Sequence, residues 1–211
     1  WTLPPKLTAS TGLDALTQLL EAFVCNQPNP LTDSLCREGL RRAAGSLQKA
    51  YENGDDHDAR EDMCLASLFS GMTLANAKLG AVHGLAGTIG GMFPAPHGMV
   101  CACLLPYVMD TNIRALQDRL KDSPALERYQ EFARIVTGKS RSAVSKGLEW
   151  VEQLCSSLSV QPLSEYGVTE EDIPAIVEKA MKSSSMKGNP ILLTEEELQK
   201  TLAKALFFLT K

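Results

Sequence analysis

Histidine is scarce in this sequence, three among 211 residues, so chemistry built on imidazole has few places to sit. No two of the six cysteines have CxxC spacing, which excludes a zinc ribbon and a thioredoxin-like redox motif. There is no basic excess: Lys plus Arg number 21 against 25 Asp plus Glu, a net charge of −4. A nucleic-acid partner is therefore not expected, because it would need a basic face to displace counterions. No block of like charge reads as a tail. The longest apolar stretch, Met99 to Met109, is too short to cross a bilayer and contains Pro106, so no membrane partner is expected. No run of period-2 alternation reads as a strand, and no GxGxxG follows one, so a dinucleotide fingerprint is missing. No charged leader precedes an apolar segment, and the chain starts on Trp1. The expectation is a piece of a longer polypeptide.

What is present is ordinary for a globular chain: 44% hydrophobic and 22% charged residues. The length allows one large or two small domains and a sizeable core. Cys64, Cys101 and Cys103 lie among apolar residues, where cysteine acts as a small buried hydrophobe. Unpaired thiols imply a reducing, intracellular compartment.

Helical periodicity dominates. Thr8 to Thr11 offers caps for a first helix carrying Leu13, Leu16, Leu20, Phe23 and Val24. Thr32 or Asp33 is the expected cap of a second, ending near Gly54. A third should run from about Ala59 to Lys78, with apolar positions that include Met63, Leu68, Met72 and Ala75. The Gly/Ala-rich segment Ala81 to Phe93 reads as a buried, closely packed helix, stopped by Pro94-Ala95-Pro96. His97-Gly98 opens a long apolar helix that Pro106 should kink. Ser123-Pro124 starts the next, ending near Gly138, and Ser140 to Leu158 forms another. Val160 to Val168 reads as a loop; Thr169-Glu170-Glu171-Asp172 and Thr194-Glu195-Glu196-Glu197 start the last two helices. The expected fold is all-α: residues 1–211 as one domain of about eight or nine helices around the central segment 81–109.

Chemistry has few candidates. His57 lies in a solvated acidic hinge, Asp55-Asp56-His57-Asp58. His83 and His97 each stand next to glycine in the least polar part of the chain. A histidine on an apolar face is ordinarily a satisfied core residue; two of them flanking one helix and a proline turn suggest a shared site. Asp14 sits next to the apolar stripe of the first helix, where a carboxylate must be paired, liganded or turned outward. Gln18 follows one turn on, and an i, i+4 donor pair can hold a metal from one helix. An exposed Asp and Gln is the plainer alternative.

These residues sit in recognisable surroundings. Thr11-Gly12-Leu13-Asp14-Ala15-Leu16-Thr17-Gln18 resembles the helix that opens the C-terminal domain of iron-containing (group III) alcohol dehydrogenases, in the dehydroquinate synthase-like superfamily. Ala81-Val82-His83-Gly84-Leu85-Ala86-Gly87 and Pro96-His97-Gly98 resemble that family's two histidine motifs. Leu104 to Asn112, Asn29-Pro30-Leu31-Thr32-Asp33 and Gly188-Asn189-Pro190 are similar to further landmarks, in the family's order and across essentially the whole chain.

The resemblance implies a two-domain oxidoreductase. An N-terminal α/β domain, absent from this chain, would bind NAD(P). The helical domain would hold a divalent metal, Fe2+ or Zn2+, through one Asp and three His. Carried over, those positions are Asp14, His83, His97 and, in place of the third histidine, Gln18. Gln is a poorer ligand than imidazole and should weaken the site. Where the family often has a further histidine near the nicotinamide, this chain has Gly87, so no proton-relay role is assigned there. The metal would polarise the oxygen of a small alcohol or carbonyl substrate during hydride transfer. Met92, Phe93 and Met99 are candidates for the apolar wall around that substrate. The resemblance also implies a homodimer. Two rival readings remain: a metal-independent carbonyl reductase of the maleylacetate reductase type, and a non-enzymatic helical interaction module. The 211 residues alone should be inactive, lacking the cofactor half.

Overall fold

Prolines and polar caps divide the chain into helices. A computed structural model describes residues 2–207, among which there are nine α-helices, three short 3₁₀ turns and no strand. The all-α expectation holds. Helix α1 (Pro5–Val24) starts earlier than its threonines suggest: Pro5 at the first helical position supplies a preset φ. Thr8 and Thr11 lie inside the helix and donate back to the carbonyls of Pro4 and Leu7. Helix α2 (Pro30–Glu52) is capped by Asn29, whose Oδ1 accepts from the Thr32 amide at 3.0 Å, and not by Thr32 or Asp33. Asp33 instead forms a two-pronged pair with Arg128 at 2.7 Å, tying α2 to α6 (Pro124–Thr137).

Helix α3 (His57–Asn76), capped by Asp56, departs in part from the expected apolar set. Met63 packs half-buried against the core, but Leu68 and Met72 are 56% and 44% exposed, and Ala75 is exposed as well. Apart from Arg60, the fully buried residues are small, Ala59, Ala66, Ser70 and Thr73, which let α3 lie close against α1 and α2. Close backbone approach decides the face here, and Leu68 and Met72 are left outside. Cys64, on the same helix, is exposed rather than buried. All six cysteines are free, and the other five are buried.

Helix α4 (Ala81–Met92) is buried only through its first half and at Ile89. Gly87, Gly90 and Gly91 are exposed, and a Cβ added at any of them would meet nothing within 4 Å. These glycines form a bare, open face; only Gly84 packs closely, against Ser183 and Met186. Helix α5 (His97–Arg119) runs through Pro106 without a break. Proline removes the amide that would bond the Ala102 carbonyl, and the buried Cys155 thiol takes that acceptor at 3.5 Å. By length and composition α5 could cross a membrane, but 78% of its most apolar window is buried within the fold, where it serves as the core helix. It packs against α1, α4, α6, α7 (Val144–Ser157) and α9 (Glu195–Leu206).

The remaining stops and starts agree with the sequence signals except at α7, expected from Ser140 but starting at Val144. Gly138 ends α6 at φ 66°, in the left-handed region. The segment expected to be a loop contains a 3₁₀ turn, Leu163–Tyr166, closed by Gly167 at φ 85°. The Asp172 carboxylate accepts from the Thr169 amide and hydroxyl just before α8 (Ile173–Ala180). Thr194 and Glu197 form a reciprocal capping box at the start of α9.

Candidate metal centre

The site forms where α1, α4 and α5 meet. Gly98 allows the approach of two of them: a Cβ there would collide with the Ser10 carbonyl of α1. That contact sets the start of α5, and so His97, against the face of α1 that carries Asp14. Gly80 plays the same part for α4, since a Cβ there would press within 2.8 Å of Glu21 Oε1 and Asn189 Oδ1.

The first amides of α4 have no cap within their own segment. Distant residues satisfy them. The Ala81 amide donates to Asn189 Oδ1 at 3.0 Å, the Val82 amide to Glu21 Oε1 at 2.7 Å and the His83 amide to Glu21 Oε2 at 3.3 Å. A carboxylate at a helix N-terminus is favoured by the aligned peptide dipoles. Asn189 is held in turn by Asn112, with Nδ2 donating to Asn112 Oδ1 at 2.7 Å. Gly188 permits that placement, because a Cβ on it would meet the Leu79 carbonyl. The sequence landmarks at 104–112 and 188–190 thus support the start of α4.

Glu21 also fixes the imidazole. His83 Nδ1 lies 2.6 Å from Glu21 Oε2, both side chains being buried. With Nδ1–H donated to the carboxylate, the lone pair on Nε2 faces the opposite way. It points toward Asp14 Oδ1 at 3.4 Å. His97 Nε2 lies 3.7 Å from the same oxygen, and the two imidazole centroids are 5.6 Å apart. His83 is 7% exposed in its side chain and His97 46%, so the cluster has a closed floor and an open rim. Asp14 Oδ1 and His83 Nε2 are buried without a hydrogen-bond partner. Two buried polar atoms left unpartnered and facing each other suit a bound cation, which would satisfy both.

Asp14, His83 and His97 therefore converge, as the sequence reading expected. Gln18 stands one turn from Asp14, and its Nε2 donates to Asp14 Oδ2 at 3.0 Å. Two residues were missed. Glu21 lies seven residues after Asp14, two turns along one face of α1, and that spacing was a usable signal. Cys101 was read as core filling, but its Sγ lies 3.5 Å from His97 Nε2. Asp14, His83, His97 and Cys101 each bring one donor atom into a group within 4.8 Å of one another. The i, i+4 spacing applied to Asp14 and Gln18 holds equally for His97 and Cys101.

The cluster shifts its own acidities. Burial raises the Asp14 pKa, but the nearness and charge of His83 and the charge of His97 prevail and hold it below the usual carboxylate value. Burial lowers that of His83, yet the contacts with Asp14, Cys101 and Glu21 together push it up to about 12. Burial pushes the Cys101 thiol up to about 11, against the pull of His83.

Fold and cluster together define a helical domain built to present one carboxylate, two imidazoles and a thiol to a single point. The chain belongs to the Fe-containing alcohol dehydrogenase family, whose C-terminal model matches residues 8–206. It is 37% identical over 204 residues to alcohol dehydrogenase 4 of Saccharomyces cerevisiae, covering 96% of this chain and 51% of that protein. It is 36% identical over 197 residues to 1,3-propanediol dehydrogenase of Klebsiella pneumoniae, covering 92% and 50%. Among solved structures, an alcohol dehydrogenase from Oenococcus oeni superposes with a TM-score of 0.86 at 34% identity, covering 96% of this chain and 52% of that one. The chain spans about half the length of these relatives.

Proposed function

We propose that this chain is the metal- and substrate-bearing half of an NAD(P)-dependent oxidoreductase acting on a small alcohol or its carbonyl counterpart. The observation that carries the reading is the pair of buried, unpartnered atoms, Asp14 Oδ1 and His83 Nε2, directed at one point beside His97. Asp14, His83 and His97 would hold a divalent ion there, iron or zinc by the nature of the donors. Such an ion supplies Lewis acidity to a bound alcohol or carbonyl oxygen during hydride transfer with NAD(P).

The chain's own residues do the preparation. Glu21 keeps the proton of His83 on Nδ1, leaving Nε2 as the donor. Asp14 offsets the charge of a dication, and Gln18 holds its second oxygen so that Oδ1 stays turned inward. The exposed rim at His97 leaves a path for a small substrate. Met99 lies in the core, whereas Met92 and Phe93 are half-buried on the segment leading to His97 and serve as the apolar wall. The bare glycines at 87, 90 and 91 leave room on α4 for close approach of a cofactor or of a preceding domain.

The test is metal content and NAD(P)-linked turnover of the full-length protein on small alcohols and aldehydes. His83→Ala and His97→Ala should each lose bound metal and turnover. Failure to bind any metal at saturating supply overturns the reading. A second reading, carbonyl reduction without a metal, is favoured by Gln18 and Gly87, which stand where the sequence resemblance places histidines. It predicts turnover that survives exhaustive chelation.

A further inference from the structure

Cys101 has the geometry of a ligand. Zinc binds nitrogen and oxygen donors at about 2.0–2.1 Å and sulfur at about 2.3 Å, so the edges of a tetrahedral donor set measure roughly 3.3–3.6 Å. The observed separations are 3.4 Å from His83 Nε2 to Asp14 Oδ1, 3.7 Å from His97 Nε2 to Asp14 Oδ1 and 3.5 Å from His97 Nε2 to Cys101 Sγ. All four donors fall within 4.8 Å of one another. Three of the six edges of the set are thus at or close to bound dimensions.

The placement follows from the helix. His97 and Cys101 are one turn apart at the start of α5 and share a face. His97 forms the exposed rim and Cys101 is fully buried beneath it. Gly98, on the neighbouring face, brings that turn against α1. The sulfur thus lies on the same floor as the unpartnered atoms of Asp14 and His83. Gln18, by contrast, commits its amide nitrogen to Asp14 Oδ2.

We propose that Cys101 is the fourth donor of a divalent-metal site with Asp14, His83 and His97, that its thiolate biases the site toward zinc over ferrous iron, and that Gln18 is a positioning residue for Asp14. This rests on the metal reading above. On binding, a metal–sulfur bond forms and the thiol proton passes to solvent, with no change of oxidation state. A soft thiolate favours zinc more strongly than an oxygen donor in the same place does.

The experiment uses cobalt(II) and zinc on the full chain after removal of metal. Cobalt should bind at one equivalent with a near-ultraviolet sulfur-to-cobalt charge-transfer band. Cys101→Ser should abolish the band and weaken zinc binding by more than the 10–100-fold typical of losing an outer-shell partner. Gln18→Ala should keep the band while lowering zinc affinity by about tenfold. Any such site prefers zinc to ferrous iron to some degree, so the selectivity claim is read as a fall in the zinc-to-iron ratio in Cys101→Ser. X-ray absorption of the zinc-loaded wild type needs no variant and should show one sulfur neighbour at about 2.3 Å. Metal bound with no sulfur neighbour, or a band that persists in Cys101→Ser, overturns the role of Cys101 and leaves the three-residue metal site standing. An unchanged zinc-to-iron ratio overturns the selectivity. A folded wild type that takes up no zinc, iron or cobalt overturns both this inference and the metal reading beneath it.

Discussion

Glu21 does three things with one carboxylate. It accepts from the amides of Val82 and His83, and from Nδ1 of the same histidine. It therefore couples the start of α4 to the orientation of the imidazole. Glu21→Gln replaces an acceptor-only group with one that presents an NH2 to these donors, leaving at least one buried amide unsatisfied. Stability should fall by about 1–3 kcal/mol. Metal affinity should fall by about 10–100-fold, because the tautomer of His83 is no longer held. Chemical denaturation and a metal-competition titration measure the two effects. An unchanged affinity would show that Nδ1 has no part in setting the ligand.

At the scale of the helices, glycines act in opposite ways according to what faces them. Gly98 is a contact between backbones, and the methyl of Gly98→Ala must push α5 away from Ser10 of α1. That overpacking should cost about 1–3 kcal/mol. Since His97 and Asp14 lie on the two sides of the contact, metal binding should weaken as well. Gly90 faces open space in a helix interior. Gly90→Ala removes unfolded-state freedom without a clash and should stabilise by about 0.4–1 kcal/mol. Equilibrium unfolding of both variants checks the contrast. The glycine-rich composition of α4 suggests one explanation for all its glycines, but the fold separates them: Gly84 is packed and Gly87, Gly90 and Gly91 are bare.

For the molecule as a whole, the proposed metal between α1, α4 and α5 would link three segments that are far apart in sequence. It would bind the folded chain and not the unfolded one, so it should raise stability by linkage. Zinc at 100 times its dissociation constant adds about 2.7 kcal/mol. For a chain of this size the melting temperature should rise by roughly 5–11 °C, at about 2–4 °C per kcal/mol. Chelation should reverse the shift. The sign with pH follows from the ligands: Asp14, His83, His97 and Cys101 bind as deprotonated donors, so acid competes with the metal. The zinc-induced shift should shrink as pH falls and be absent at either pH in His83→Ala. Calorimetry at two pH values, with and without zinc, tests this.

Much of this protein was legible from residue order alone. Helical periodicity, Ser123-Pro124 at the start of α6 and the box at Thr194 are local signals, set by hydrogen bonds within a turn or two, and they produced the all-α reading and several of the boundaries; Pro5 and Pro30, which start α1 and α2, were equally local signals that the reading passed over for nearby threonines. Asp14, His83 and His97 stood out because polar residues in apolar surroundings need a reason. Tertiary structure decided what depends on neighbours distant in sequence. The outward face of α3 was set by how closely Ala66, Ser70 and Thr73 let it approach α1 and α2. Cys101, a core filler by its surroundings in sequence, comes within reach of Asp14 and His83 because α5 touches α1 at Gly98. Glu21 gained its role only when α4 began against it. A side chain's spacing states which face it shares; what that face meets is determined by packing over long loops, and no local pattern contains it.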